Sequence, residues 1–142
     1  MILVTGATGT VGGALCDDLA DAPVDVRAAV RSPGTFEGPA EEVVRFDFTD
    51  PSTYRGTFAG IDGAFLVRPP ALSRVRRDVV PALAAAVGAG VDHVVFLSVL
   101  GADRNPLVPH ARIESWLDSA DLSTTFLRAS FFMQNLSTVH RG

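Results

Sequence analysis

The stretch Ile2-Leu3-Val4-Thr5-Gly6-Ala7-Thr8-Gly9-Thr10-Val11-Gly12 decides the fold. Four residues of apolar, largely β-branched character read as a short buried strand. Three glycines then follow at the spacing Gly6-x-x-Gly9-x-x-Gly12. After them Val11, Leu15 and Leu19 recur four apart, which predicts a helix over 10–21. Strand, tight glycine turn and helix is the opening of a mononucleotide-binding unit. Its glycines let the backbone turn sharply, approach a pyrophosphate and bring the helix close to the sheet.

Working outward, the same alternation repeats. Apolar runs predict strands at 24–30, 43–46, 63–67, 94–97 and 123–127. The segment 32–40, rich in Pro and Gly, reads as a loop, and Pro51 suits the first turn of a short helix. A helix is predicted over the Ala-rich 73–87, closed by Gly88 or Gly90 and kinked or delayed by Pro81. Another is predicted over 109–119 with Ile113, Trp116 and Leu117 facing inward. Six strands joined by right-handed crossovers give an α/β Rossmann fold, a doubly wound six-stranded parallel sheet of order 3-2-1-4-5-6 with helices on both faces. The expected organisation is an NAD(P)-binding domain over 1–128 and a short tail over 129–142.

Composition narrows the function. With 142 residues, 47% hydrophobic and 20% charged, the chain has the make-up of one globular domain and not of a disordered, collagenous or coiled-coil protein. Its twelve basic residues are all arginine against sixteen acids, and a net charge of −4 offers no general field for nucleic acid or an anionic membrane. Cys16 is alone, and the histidines at 93, 110 and 140 have no metal-ligand spacing. No apolar run is long enough for a membrane span, so a cytoplasmic protein is expected. There is no lysine and one tyrosine, Tyr54, which excludes any mechanism built on a Tyr and Lys pair.

A helix N-terminus behind the glycine turn presents N–H groups and partial positive charge to phosphates. The tip of the second strand selects the cofactor, because an acid there binds a ribose 2′-hydroxyl and an arginine favours a 2′-phosphate. Here it reads Val30-Arg31-Ser32, while Asp25 lies at the other end of the strand. Arg31 therefore predicts NADP(H) over NAD(H), against the alternative of a solvated surface arginine. Asp47 and Phe48 follow the third strand, where they either flank an adenine or, for Asp47, cap a turn.

These residues resemble the NmrA-like, atypical short-chain dehydrogenase/reductase family, which includes NADPH-dependent quinone reductases and redox-sensing regulators. The likeness rests on the glycine turn from Val4, Val30-Arg31, Phe46-Asp47-Phe48, Phe65-Leu66-Val67 with Arg68-Pro69-Pro70, and Val95-Phe96-Leu97-Ser98. It continues through 110–114 and Thr125-Phe126-Leu127-Arg128 into Phe131-Phe132-Met133-Gln134-Asn135. It implies cofactor contacts from Gly6, Thr8, Gly9, Thr10, Val11, Arg31, Asp47 and Phe48. Val67 and Arg68 would lie near the ribose and nicotinamide, and Ser98 and His110 would border the reactive face. Family members usually continue into a small substrate-binding lobe, most of which this chain is expected to lack. Phe131, Phe132 and Met133 would then need a partner chain, a homo-oligomer interface or a missing segment to cover them.

The chemistry left to such a site is limited by its acids. Reducing an ordinary ketone requires a proton donor or a waiting oxyanion donor. His110, with Glu114 one helical turn later to orient it, is the candidate acid, and the competing reading is a surface histidine at a helix start. Ser98 either donates to a substrate oxygen or caps the loop after its strand. A quinone asks less, since its reduced anion takes a proton from solvent. An NADPH-dependent oxidoreductase acting on a quinone-like or carbonyl acceptor therefore stands beside a non-catalytic module that senses NADP(H) and signals to a partner. A degenerate domain kept for assembly is the third alternative.

Overall fold

A computed structural model describes residues 1–129. The elements run β1 (Ile2–Thr5), α1 (Thr10–Leu19), β2 (Val26–Val30), β3 (Glu42–Arg45), α2 (Tyr54–Phe58) and β4 (Gly63–Val67). They continue with α3 (Val75–Asp78), α4 (Val80–Gly88), β5 (His93–Val99), α5 (Pro109–Ser119) and β6 (Ser123–Ala129). Every neighbouring pair is parallel, and the order is β3-β2-β1-β4-β5-β6. This is the Rossmann sheet that the strand and glycine pattern predicts. β6 includes Ala129, and the tail with Phe131, Phe132 and Met133 lies outside the described residues.

Alternation along the central strands divides the core in two. Leu3, Ala29, Leu66 and Phe96 point to one face, where Phe58, Leu83, Ile113 and Leu117 from α2, α4 and α5 meet them. Val4, Ala28 and Phe65 point to the other, against Cys16 and the flank of Val11, Leu15 and Leu19 on α1. A strand with both faces covered must be apolar at consecutive positions, which is why these runs lack the alternation of a half-exposed strand. At the edge of the sheet, β6 pairs with β5 in register Leu97↔Leu127, and Leu127 is exposed.

Where the elements depart from the periodic reading, the cause is local. β2 begins at Val26, because Val24 is exposed and the Asp25 carbonyl is spent on accepting Ile2 N–H at 2.8 Å. β3 is shifted by one residue to Glu42–Arg45. The expected helix over 73–87 is broken at Val79 into α3 and α4. Pro81 stands in the first turn of α4, where its missing N–H costs nothing. The helix stops at Gly88, and Gly90 takes the left-handed φ of +98° that reverses the chain. β5 is longer than expected because β4 and β6 pair with it on both sides from His93 onward. Trp116 is half-buried, packed at the edge of the core and not within it.

α1 is held against the turn that precedes it. A Cβ added at Gly12 would lie 2.3 Å from the Gly6 carbonyl oxygen and 2.8 Å from its carbon, whereas one at Gly34 would meet nothing. Gly12→Ala should therefore force α1 off the sheet at a cost of about 1–3 kcal/mol, lowering the melting temperature by several degrees. Gly34→Ala should leave it unchanged within error. Equal melts for the two variants would mean that α1 is not in this contact.

Candidate active site

The cleft forms where β1 and β4 part. Their ladder ends at the pair Val4↔Phe65, and beyond it the Thr5 hydroxyl replaces the missing backbone bonds, donating to Phe65 O and accepting from Val67 N, both at 2.9 Å. Ligands of open parallel sheets gather at the carboxyl ends of the strands, at the point where the order reverses. Here β1 sits between the β2-β3 half and the β4-β5-β6 half. A cleft of about 540 Å³ opens at that point, lined by Gly6, Thr8, Gly9, Arg31, Asp47, Phe48, Val67 and Arg68 among others.

Local conformation explains its floor. Gly6 adopts φ +62°, a region that side chains avoid, and its carbonyl accepts Gly9 N–H at 2.9 Å to close the turn. Gly9 is the N-cap of α1 with φ −84° and ψ 175° and no side-chain cap, so the turn meets the helix end with backbone alone. The first turn of a helix has no carbonyls to receive its N–H groups, and here it faces forward into the glycine turn. Thr10 and Val11 form that first turn, with the Val11 side chain packed into the core. Gly12 is buried behind it as the packing contact already described.

At the tip of β2, Arg31 is exposed and forms no ion pair among the described residues. Ser32 and Thr35 line the cleft beside it, joined by a Thr35 hydroxyl bond to Ser32 O at 2.7 Å. Asp47 caps its own turn, its Oδ1 accepting from Thr49 N at 2.9 Å and Thr49 Oγ1 at 2.7 Å. Those two bonds, with help from the charges of Arg31 and Arg45, hold its carboxyl below the usual range despite partial burial. Phe48 is buried, edge-on to Phe46 at 4.7 Å, and its carbonyl accepts the Tyr54 hydroxyl.

The sequence matches the model of the NmrA-like family over residues 1–142. The chain belongs to the NmrA-like family. It is 31% identical to the prestalk A differentiation protein A of Dictyostelium discoideum over 142 residues, covering 96% of this chain and 46% of that protein. It is 30% identical to the NAD(P)H azoreductase of Xenophilus azovorans, covering 96% of this chain and 50% of the relative. Among solved structures, an NADPH-dependent quinone oxidoreductase of Escherichia coli complexed with NADPH superposes with a TM-score of 0.75. It is 26% identical and is matched over 90% of this chain and 48% of its own. The chain thus spans about half the length of the curated relatives it matches.

Ser98 and His110, expected at the reactive face, and Glu114, expected to orient His110, lie on the β4-β5-β6 side; none of them is among the residues lining the cleft, and Glu114 lines a second groove. Ser98 and Glu114 are buried, at 1% and 5% exposure, and the Ser98 hydroxyl donates to Glu114 Oε2 at 2.5 Å. Arg128, from β6, grips the same carboxylate with both arms of its fork, Nη2 to Oε1 at 2.6 Å and Nε to Oε2 at 3.1 Å. Burial pushes the Glu114 carboxyl up, but the bonds from Arg128 and Ser98 and the Arg128 charge outweigh it and hold the group below its ordinary value. His110 stacks on Phe96 at 5.8 Å and 26°. Burial first, then the nearby Arg68 charge, pushes its imidazole below the usual range against the pull of Glu114. No hydrogen bond joins His110 to Glu114 among the described residues, so the two are coupled through charge alone.

Sequence reading missed Arg128 as the partner of Glu114, Thr5 as the bridge between parting strands, and Ser32 and Thr35 beside Arg31. The last pair carried a usable signal, since hydroxyls directly after Arg31 are natural phosphate donors. A second groove of about 1050 Å³ lies between α3 and α5, lined by arginines including Arg74, Arg76 and Arg112 and away from the glycine turn. Among the described residues no three His, Cys, Asp or Glu side chains are grouped to hold a metal ion. No helix there is long and apolar enough to cross a membrane.

The Glu114 pair has a pH signature. A carboxylate whose folded-state pKa is depressed stabilises the fold above its unfolded value, and the effect is lost as pH falls through the folded one. Arg128→Ala leaves Glu114 buried with only Ser98, so its melting temperature should fall most against wild type at pH 7. The gap should close below the ordinary carboxyl value of 4.5, where Glu114 is neutral in the variant. A gap that is the same at both pH values would mean that the pair does not bear on stability.

Proposed function

We propose that the chain binds NADP(H) across the cleft and acts as an NADPH-dependent oxidoreductase, with a quinone-like or carbonyl compound as acceptor. The observation that carries this reading is Arg31, without an ion pair among the described residues, beside Ser32 and Thr35 at the strand tip next to the glycine turn. The azoreductase relative and the NADPH-bound structural neighbour are reductases by name, which supports it.

The residues fit the cofactor. A Cβ added at Gly9 would meet only the Gly6 oxygen, at 3.2 Å, so the open side of the turn admits a close backbone approach by a pyrophosphate. Gly6, Thr8, Gly9 and the first turn of α1, from Thr10, Val11 and Gly12, would take the phosphates. Arg31, Ser32 and Thr35 would take the 2′-phosphate, Asp47 and Phe48 would border the adenosine, and Val67 and Arg68 would stand on the nicotinamide side. Bound NADPH supplies a hydride there. The protein's own part is to orient, to exclude water and to manage the charge that develops on the acceptor.

His110, the expected proton donor, stacks on Phe96 and has no hydrogen bond to the Ser98–Glu114 pair. Its depressed pKa keeps the imidazole neutral at pH 7, so it has no ready proton to give. That favours a quinone-like acceptor, whose reduced anion can be protonated by solvent, over a simple ketone. On this reading the protein works in the cytoplasm, where the buried thiol of Cys16 stays reduced.

Arg31→Glu should weaken NADPH binding by about ten- to a hundredfold, the worth of one charge-assisted contact, and NADH binding far less. Thermal melts with each nucleotide measure both, and equal losses would mean that Arg31 does not read the 2′-phosphate. Gly9→Val should abolish binding of both nucleotides while the melt stays cooperative; unchanged affinity would remove the phosphate turn from the site. Turnover with a panel of quinones separates an oxidoreductase from a sensor that binds NADPH and transfers nothing.

A further inference from the structure

The groove between α3 and α5 gathers charge that the fold itself does not use. Five of the twelve arginines, at 74, 76, 77, 112 and 128, line its 1050 Å³. Arg77 is committed to Asp78 and Arg128 to Glu114. Arg74, Arg76 and Arg112 make no side-chain ion pair or hydrogen bond among the described residues, and neither do two acids of the same groove, Asp103 and Asp118. All five unpaired side chains are exposed. A simple anion would be drawn by the three arginines and repelled by the two acids. An occupant that answers both signs must itself carry both, in the complementary arrangement.

Helix α5 supplies that arrangement. Ile113 and Leu117 hold its inner face in the core, so the opposite face looks into the groove. At about 100° per residue Ser115 lies at the middle of that face, Arg112 about 60° to one side of it and Asp118 about 60° to the other. The two charges stand about 4.5 Å from Ser115 along the axis, in opposite directions. A second α5 laid antiparallel here, with a two-fold axis beside Ser115, brings Arg112 of each copy level with Asp118 of the other. It also brings Ala111 level with Ser119, and like charges stay about 9 Å apart along the axis. The helix face is thus its own complement. Ala111, Ser115 and Ser119 are small enough for the two axes to approach to about 8 Å, and the half-buried Trp116 on the same wall adds the aromatic area common at interface centres.

We propose that the chain forms a two-fold dimer through α5, the second copy's α5 lying antiparallel across the groove with Ser115 at the axis and an Arg112–Asp118 pair on each side. The same patch serves both copies, so the assembly closes at two and does not propagate. The interface is separate from the cleft, which opens at the carboxyl ends of β1 and β4 and is lined by none of Ala111, Arg112, Ser115, Trp116, Asp118 and Ser119. It therefore stands whether or not the cleft takes NADP(H), and it leaves the mouth of the cleft open.

Sedimentation velocity of the full chain over a range of concentrations tests this. The wild type should shift from the 15.0 kDa of one chain toward twice that mass as concentration rises, and added salt should weaken the association. Arg112→Asp sets acid against acid at both pairs, and Asp118→Arg sets cation against cation. Each should weaken dimerisation about tenfold or more while its melt stays cooperative. Mixed in equal amounts, the two variants should recover the wild-type association within about threefold, because an acidic copy then faces a basic one at both pairs. The double variant carrying both changes in one chain should recover it alike. Arg55→Asp, exposed on α2 and outside the groove, should leave the dimer unchanged. A wild type that stays monomeric at every concentration overturns the proposal without any variant having to fold. A dimer indifferent to the single swaps overturns it too, as does a weakening that mixing fails to rescue. Inorganic pyrophosphate that raises the melt of a monomeric wild type but not of Arg112→Asp would assign the groove to an anion instead.

Discussion

Helix α1 starts against the backbone it has just left, and the 2.3 Å that a Gly12 Cβ would leave to the Gly6 oxygen is the constraint on which the rest depends. Because the helix cannot move outward without losing the Val4, Ala28 and Cys16 cluster beneath it, the turn at Gly6 must be tight and left-handed. That turn aims the start of α1 at the opening between β1 and β4. The two strands part where their backbone ladder ends, and the Thr5 hydroxyl ties them at that point. Packing, turn and cleft are thus one arrangement, with little freedom to alter any part alone.

Much of the fold is legible in the sequence because its signals are local. Gly63–Val67 and Pro109–Ser119 agree with the periodic reading residue for residue, one opened by a glycine and the other by a proline. The glycine spacing carries the turn, and the alternation of strands and helices carries the sheet order. The misses are those that no local pattern records. The break at Val79 needs the knowledge that the helix can restart with Pro81 in its first turn, and the extension of β5 depends on β4 and β6 pairing with it at His93 and on β6 alone at Ser98 and Val99.

The site divides along the same line. Gly6, Gly9 and Arg31 are readable because strand tip and turn sit next to one another in the chain. The residues Ser98, His110 and Glu114 are readable as chemistry-bearing types, but their wiring is not. Glu114 faces His110 by helical spacing, yet its oxygens go to Ser98, sixteen residues before it, and Arg128, fourteen after, through strands that meet only in the folded sheet. Asp47 shows the reverse, since its turn cap with Thr49 is two residues long and could be read directly.

Taken together, these pairings fix the charge of the cleft. Glu114 faces the second groove, where Arg128 cancels it, and Asp47, in the cleft itself, is occupied by its turn and shadowed by Arg31 and Arg45. What stays uncompensated is positive or dipolar: Arg31 at one end, the start of α1 in the middle, and Arg68 at the other, with a neutral imidazole beside it. Such a surface suits a polyphosphate by its charge, which is the physical basis of the proposed function. The absence of lysine and the single, structurally engaged Tyr54 belong to the same pattern, since both usual proton-relay partners are missing from the inventory. On the function proposed above, the acceptor matched to this cleft is one whose chemistry asks for fixed positive charge and leaves protonation to the solvent.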